Sequence, residues 1–255
     1  MANSFLETDF FYYHCALYLL LSYKKNIFKS FYNSGLSGFI GGFILSIGFS
    51  AYVFSMYNTT VANVNFIITT ETIFLAVFGY FFLKEKINLI TFISIIFGMS
   101  GVLLILGSSL SIQSNEQFIG NIVAFLAPIS LAIFVIIIRK SPNVDMVPAQ
   151  FIAGVFSAIF AYFIASNLSI SPHDLFLASL SGFFQIGFGF ILITIGSQTT
   201  PSAVVGVLML TEAVFGPLWA WLFINEMPPT SVLIGGGIII FSILLQSFYN
   251  KKNHL

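Results

Sequence analysis

Charged side chains are scarce in this chain. Nine Lys and Arg and nine Asp and Glu make up 7% of its 255 residues, whereas a soluble globular protein carries about 25%. The formal net charge is zero, so composition gives no electrostatic reason to expect a nucleic-acid partner. Hydrophobic residues make up 58% of the sequence. This composition predicts an integral, multi-pass membrane protein whose main partner is the lipid bilayer.

Cysteine and histidine are also rare. The single Cys15 excludes a disulfide within the chain and most thiolate metal sites. The three histidines (His14, His173 and His254) have no metal-ligand spacing. The sequence lacks a glycine-rich phosphate loop, a G-x-S-x-G elbow and an H-E-x-x-H motif. We therefore expect no metal site, no cofactor, no catalytic residue and no enzymatic activity.

Long apolar runs dominate the sequence instead. Most of them approach the roughly 20 residues that a helix needs to cross about 30 Å of hydrocarbon. We therefore predict an all-α membrane protein, a helical bundle of about nine transmembrane helices. The predicted spans are Phe10–Tyr23, Gly35–Tyr57, Thr60–Leu83, Ile87–Leu106, Phe118–Ile138, Val147–Ala165, Leu175–Ser197, Ser202–Ile224 and Ser231–Phe248.

Two of these spans are similar in sequence at an offset of 141 residues. The pair Thr70-Glu71 aligns with Thr211-Glu212, and Glu85 aligns with Glu226. Because the chain has only nine acidic residues, two acidic pairs at one offset indicate an internal duplication. Internal repeats in a membrane chain are typical of secondary transporters.

The basic residues predict how the chain is oriented. If nine helices alternate and the Lys24 end is cytoplasmic, all nine fall on the cytoplasmic side: Lys24, Lys25, Lys29, Lys84, Lys86, Arg139, Lys140, Lys251 and Lys252. The C-terminus is then cytoplasmic. Glu85 ends its helix at the cytoplasmic face and Glu226 ends the equivalent helix at the outer face, so the repeats are expected to be inverted.

The repeats are unequal in length. Residues 1–107 form a first repeat of about four helices, and residues 118–250 form a second repeat of five. At the shared offset, the first helix of the second repeat has its counterpart before Met1. The expected fold is therefore a ten-helix inverted repeat lacking its first helix. Two explanations stay open: a start codon placed too late, or a naturally short N-terminus.

One segment of the second repeat resembles a known family. The sequence LTEAVFGPLWAWLFINE ends at Glu226 and is followed by a proline-containing turn and the glycines 235–237. This segment is similar to the EamA branch of the drug/metabolite transporter superfamily, and the resemblance extends over both repeats. The chain departs from the family pattern at Thr72 and Ala213, where the family has proline, and at Lys84 and Asn225, where it has glycine.

The resemblance implies both a fold and a function. Family members have a ten-helix inverted-repeat fold with a central cavity. They move amino acids, other metabolites or drugs, often outward and often coupled to protons. Without proline at positions 72 and 213, we expect the two helices that carry Glu71 and Glu212 to be straighter than the family pattern.

Glu71 and Glu212 are the leading candidates for the transport pathway. A carboxylate in mid-membrane is costly and generally faces a bundle interior or a wet cavity. Either residue could carry a proton during transport. The alternative is a structural role, in which each glutamate fixes helix packing through neighbours such as Thr70 or Thr211.

Several neutral polar residues also lie inside spans. Because buried polar groups need hydrogen-bond partners, these residues either line the pathway or bond to a neighbouring helix. They are Tyr52, Asn63, Asn65, Thr70, Thr211 and Gln185. At the helix ends, Glu85 and Glu226 are expected to be solvated or to anchor a loop.

The sequence thus predicts a secondary transporter, an exporter of small organic metabolites, amino acids or drugs that works by alternating access. The expected location is a bacterial inner membrane. The alternative is a non-transporting scaffold or transporter remnant that needs a partner helix, which a homodimer mate could supply.

Overall fold

The structure is a computed structural model that describes residues 27–107, 114–164, 171–224 and 227–253. Every regular element in these ranges is helical. In chain order they are α1 (Ile27–Asn58), α2 (Val61–Thr69), α3 (Glu71–Leu83), α4 (Leu89–Leu106), α5 (Asn115–Ala124), α6 (Leu126–Lys140), α7 (Val147–Ile164), α8 (Pro172–Leu180), a π-helical segment (Ser181–Phe188), α9 (Gly189–Ser197), α10 (Ser202–Met209), α11 (Thr211–Ile224) and α12 (Thr230–Asn253).

Six helical stretches are long and apolar enough to cross a bilayer. They are Phe28–Asn58, Val61–Leu83, Leu89–Leu106, Asn115–Lys140, Ser202–Phe223 and Thr230–Tyr249. Two shorter apolar helices, Val147–Phe163 and Ile186–Ser197, account for two further predicted spans. The prediction of an all-helical membrane protein is therefore confirmed. The first predicted span, Phe10–Tyr23, lies outside the described residues, and the count of nine stays a prediction.

Three of the long spans are interrupted near their middle. The breaks fall at Thr70 between α2 and α3, at Phe125 between α5 and α6, and at Leu210 between α10 and α11. The prediction that spans without proline at positions 72 and 213 would be straighter is wrong, because both are broken two or three residues earlier.

Threonine hydroxyls account for two of these breaks. The hydroxyl of Thr70 donates to the carbonyl of Ile67 at 2.5 Å, and that of Thr211 donates to the carbonyl of Leu208 at 2.8 Å. Such back-bonding competes with the helix ladder and bends helices. The two bonds are equivalent at the 141-residue offset. The third break, at Phe125, precedes Pro128, whose missing N–H is tolerated in the first turn of α6.

Close helix packing relies on positions without side chains. A Cβ at Gly42 of α1 would lie 2.4 Å from the carbonyl oxygen of Ala149 on α7. A Cβ at Gly101 of α4 would lie 2.7 Å from the carbonyl oxygen of Gly235 on α12. Helix backbones that approach this closely gain van der Waals contact, which drives helix association in lipid.

A central apolar cluster joins the two halves of the sequence. It contains Leu45 of α1, Leu75 of α3, Phe134 of α6 and Val205 of α10, all buried. The core of the bundle is therefore built from helices of both predicted repeats.

Candidate functional site

Glu71 and Glu212 occupy the first turns of α3 and α11, directly after the two equivalent breaks. Their surroundings differ. Glu71 is buried, with 4% of its surface exposed, whereas Glu212 is exposed. The two carboxyl groups are near enough for their charges to interact. The structure therefore brings together the two acids that the sequence singled out.

The helix that begins with Glu71, α3, packs closely against α10. The two helices are antiparallel: Thr72 near the start of α3 donates its hydroxyl to the carbonyl of Gly206 at 3.0 Å, and Gly79 near its end faces Ser202 at the start of α10. A Cβ at Gly206 would lie 2.8 Å from the Cα of Thr72. This contact is as close as two helix backbones allow.

The equivalent contact on the other side is open. At the 141-residue offset, α2 corresponds to α10 and α11 corresponds to α3. Among the described residues, α2 and α11 scarcely touch. Asn65 on α2 and Glu212 on α11 are both exposed. Each of these helices therefore leaves one polar side chain uncovered by the rest of the described protein.

A charged cluster, the Glu85 cluster, lies where α3 and α6 end and α10 begins. Its members are the side chains of Glu85 and Arg139, the N–H of Ser202 and the carbonyl of Gln198. The guanidinium of Arg139 donates to Glu85 Oε1 from Nε at 2.9 Å and from Nη2 at 2.6 Å. We call this end of the molecule the Glu85 end.

The loop that joins α6 to α7 packs beside this cluster. The amide of Gln198 donates to the carbonyl of Val144 at 3.3 Å, and the carboxylate of Asp145 accepts from the N–H of Val147 at 2.9 Å. Burial raises the pKa of Asp145, and the hydrogen bond from Val147 opposes that rise. The Glu85 end is thus densely bonded through both backbone and side chains.

A neutral cluster, the Asn121 cluster, lies at the opposite end. Thr59 donates its hydroxyl to Asn121 Oδ1 at 2.7 Å, and the amide of Asn63 donates to the same oxygen at 3.2 Å. Asn63 is buried and also bonds to the Thr59 hydroxyl at 3.0 Å. Asn63 joins α2 to α5 near one end of the span, whereas Thr70 lies at the other end of α2.

The other candidates lie apart from the two acids. Tyr52 of α1 is half-buried and packs on Val53 and Ala161. Gln185 lies in the π-helical segment, a conformation often found at functional sites. Glu226 lies outside the described residues. No group of three His, Cys, Asp or Glu that could hold a metal ion occurs in the part of the chain that the structure covers.

Three residues that form polar contacts between helices were not identified in the sequence analysis above. Arg139 was read only as a topology signal, and neither Asn121 nor Gln150 was singled out. Gln150 of α7 is fully buried and donates its amide to the carbonyl of Phe190 at 2.5 Å and to the hydroxyl of Thr194. A glutamine among apolar residues was the available signal, because such a group needs internal partners.

Comparisons with known proteins agree on a family. The sequence profile of the EamA-like transporter family matches residues 10–107 and 118–248. A Methanothermobacter thermautotrophicus protein described as an uncharacterized transporter is 25% identical over 206 residues, 76% of this chain. A Clostridium kluyveri protein with the same description is 23% identical over 228 residues, which are 86% of this chain and 73% of that protein. The chain spans only 59% of the length of the first relative.

A solved structure shares the fold. A protein known by its crystal structure superposes with a TM-score of 0.81 over all of this chain and 90% of its own, at 14% identity. At that identity the likeness concerns the fold alone.

Proposed function

The chain belongs to the EamA-like transporter family, and from that premise we propose that it is a secondary transporter working by alternating access between two inverted repeats. The family and the relatives support a multi-pass membrane transporter.

One observation carries the proposal of alternating access: equivalent helices pack differently. The helices α3 and α10 are in backbone contact, while their counterparts α11 and α2 scarcely touch. The equivalent acids follow the same pattern, since Glu71 is buried and Glu212 is exposed. Inverted repeats that exchange these two arrangements would open a cleft between these helices first on one side of the membrane and then on the other.

The packing of α4 on α12 supports the inversion. These helices are equivalent at the 141-residue offset and pack antiparallel. A Cβ at Gly98 would lie 3.2 Å from the hydroxyl of Ser242, and one at Gly101 would lie 2.7 Å from Ile239. At the 141-residue offset Gly98 corresponds to Ile239 and Gly101 corresponds to Ser242, so the first contact is equivalent to the second. A two-fold relation between oppositely oriented repeats produces such pairs.

The proposed orientation places the Glu85 end in the cytoplasm. Lys84, Lys86, Arg139 and Lys140 gather at this end, and α12 runs towards it with Lys251 and Lys252 in its last turn. The positive-inside rule favours a cytoplasmic location for such a cluster. We propose a bacterial inner membrane, export as the direction, and small organic metabolites, amino acids or drugs as cargo.

Glu71 and Glu212 are the proposed proton carriers. Each lies in the first helical turn after a helix break. A rocking motion that buries one acid and exposes the other would move a proton from one side to the other.

The test is a flux assay in cells that overproduce the chain. Uptake and efflux of labelled amino acids, nucleosides and toxic analogues are measured with and without a proton uncoupler. We expect flux of one solute class that the uncoupler reduces. In Glu71→Gln and Glu212→Gln we expect the uncoupler-sensitive part of that flux to be lost, because the glutamine amide cannot take up and release the coupled proton.

The control is Glu116→Gln, which removes an exposed acid from the first turn of α5. It should leave flux unchanged at equal expression. Full transport in the double variant Glu71→Gln/Glu212→Gln would eliminate the proton-carrier role. Absence of flux for every solute, from a chain shown to be inserted, would contradict the transporter proposal.

A further inference from the structure

We propose that the Glu85 cluster is a latch that holds the Glu85 end of the pathway closed in the state described here, with Glu85 and Arg139 as its positioning residues. This inference rests on the proposed alternating access. From the sequence, Glu85 was expected to be solvated or to anchor a loop, and Arg139 to mark the cytoplasmic side.

The latch joins the two repeats through a single carboxylate. Glu85 Oε1 accepts both bonds from Arg139, and Oε2 accepts the backbone N–H of Ser202 at 2.8 Å. Arg139 also donates from Nη1 to the carbonyl of Gln198 at 3.1 Å. Glu85 belongs to the first predicted repeat and its partners belong to the second. Separation of the repeats at this end must therefore break these bonds.

The backbone before Glu85 is shaped to aim the carboxylate at these partners. Lys84 adopts the left-handed conformation (φ 57°, ψ 29°), and the N–H of Glu85 bonds back to the carbonyl of Gly79 at 3.1 Å. This pattern reverses the chain at the end of α3. A Cβ at Gly79 would lie 2.9 Å from Glu85 Oε2 and 3.0 Å from the Cβ of Ser202.

The latch is accessible enough to open. The side chains of Arg139 and Glu85 retain 18% and 16% of their exposure. Water can therefore replace the bonds when they break, unlike those of a fully desolvated pair. Charge-assisted bonds to a carboxylate are nevertheless stronger than neutral ones, so their loss should shift the balance between closed and open forms.

The opposite end has a different arrangement. The Asn121 cluster joins α2 to α5 and leaves α2 and α11 apart in the described ranges. The ion pair thus lies at the end where α3 and α10 are in backbone contact, and the neutral bonds lie at the other end.

The test measures access from the Glu85 end to a buried position behind the latch. Ala203 is one residue inside α10, buried, and packed near Ala76 of α3. In a Cys15→Ser background, Ala203→Cys is labelled with a membrane-impermeant maleimide in right-side-out and inside-out vesicles. We expect slow labelling from the Glu85 end, and about tenfold faster labelling when Glu85→Gln is added, since the loss of charge-assisted bonds shifts the balance towards the open form.

The control is Lys86→Gln, which removes one exposed charge beside the latch and should leave the labelling rate unchanged. Arg139→Lys keeps the positive charge but loses the planar fork, so it should label at an intermediate rate. The pair Glu85→Gln/Arg139→Gln should raise the labelling rate by less than the product of the two single effects, because both variants remove the shared ion pair. If Glu85→Gln is not inserted, Arg139→Lys and Arg139→Gln give the same readout.

Equal labelling of the parent, Glu85→Gln and Arg139→Gln would overturn the latch. A tenfold rise in labelling without any measurable flux would support the latch and contradict the proposed function. Measurable flux with unchanged labelling would support the proposed function and contradict the latch.

Discussion

Glu71 and Glu212 show how far one residue type can differ between equivalent positions. Both follow a threonine, and both begin the second half of a broken span. Their equivalence could be predicted from the sequence because the two segments align. Which of them is buried could not be predicted, because burial depends on how the neighbouring helices pack around each acid in three dimensions.

This difference predicts unequal reactivity. A hydrophobic carbodiimide should modify Glu212 faster than Glu71, by at least severalfold, because Glu212 is exposed and Glu71 retains only 4% of its exposure. Peptide mass spectrometry of the purified protein gives both rates in one sample. The variant Glu212→Gln shows which signal belongs to which acid. Faster modification of Glu71 than of Glu212 would contradict the difference in exposure between the two acids.

At the scale of elements, the breaks in the spans were the least predictable feature. Hydrophobicity predicted Thr60–Leu83 and Ser202–Ile224 as continuous helices, and the structure interrupts both. Apolar composition indicates that a segment crosses the membrane, but it carries no information on hydroxyls that bond to their own helix. Pro217 lies inside α11, so the interruption at Leu210 and the proline are separate irregularities of one span.

The contact between α3 and α10 predicts a sharp response to a single methyl group. In Gly206→Ala the added Cβ would lie 2.8 Å from the Cα of Thr72, so the two backbones must separate. We expect a loss of about 1–3 kcal/mol in stability, the usual result of overpacking, measured as a lower thermal midpoint in detergent.

The matched control for this substitution is Gly196→Ala in α9, where an added Cβ has no neighbour within 4 Å. Alanine there should leave stability unchanged or raise it by up to about 1 kcal/mol. Equal losses in both variants would mean that the effect comes from helix glycine in general and not from this contact.

At the scale of the whole molecule, the sequence predicted the helical membrane fold and the family, and the reasons are physical. Both depend on apolar length and on aligned motifs, which are local properties. The Glu85 cluster depends on contacts between residues 54 and 117 positions apart. Arg139 could therefore be assigned to one side of the membrane but not to a partner.

The proposed latch predicts that a covalent bond at the Glu85 end stops transport. The pair Gly79→Cys/Ser202→Cys joins α3 to α10 at positions whose Cβ atoms would be 3.0 Å apart. This is slightly closer than an ideal disulfide, so a small shift permits the bond. In a Cys15→Ser background, oxidation should reduce flux at least tenfold, and a reductant should restore it.

The two single-cysteine variants are the controls, and they should keep their flux under oxidation. Unchanged flux with the disulfide formed would mean that this end stays closed throughout transport.

The packing of α4 on α12 has a different consequence. At the 141-residue offset the counterpart of α4 is α12 itself, so exchanging the proposed repeats maps this interface onto itself. The contact between α3 and α10 is different, because the exchange replaces it with a contact between α11 and α2. Substitutions at Gly101 or Gly235 should therefore lower the stability of both proposed conformers alike and leave their ratio unchanged. Differences between the two halves at the contact of α3 with α10 would instead decide which conformer is favoured.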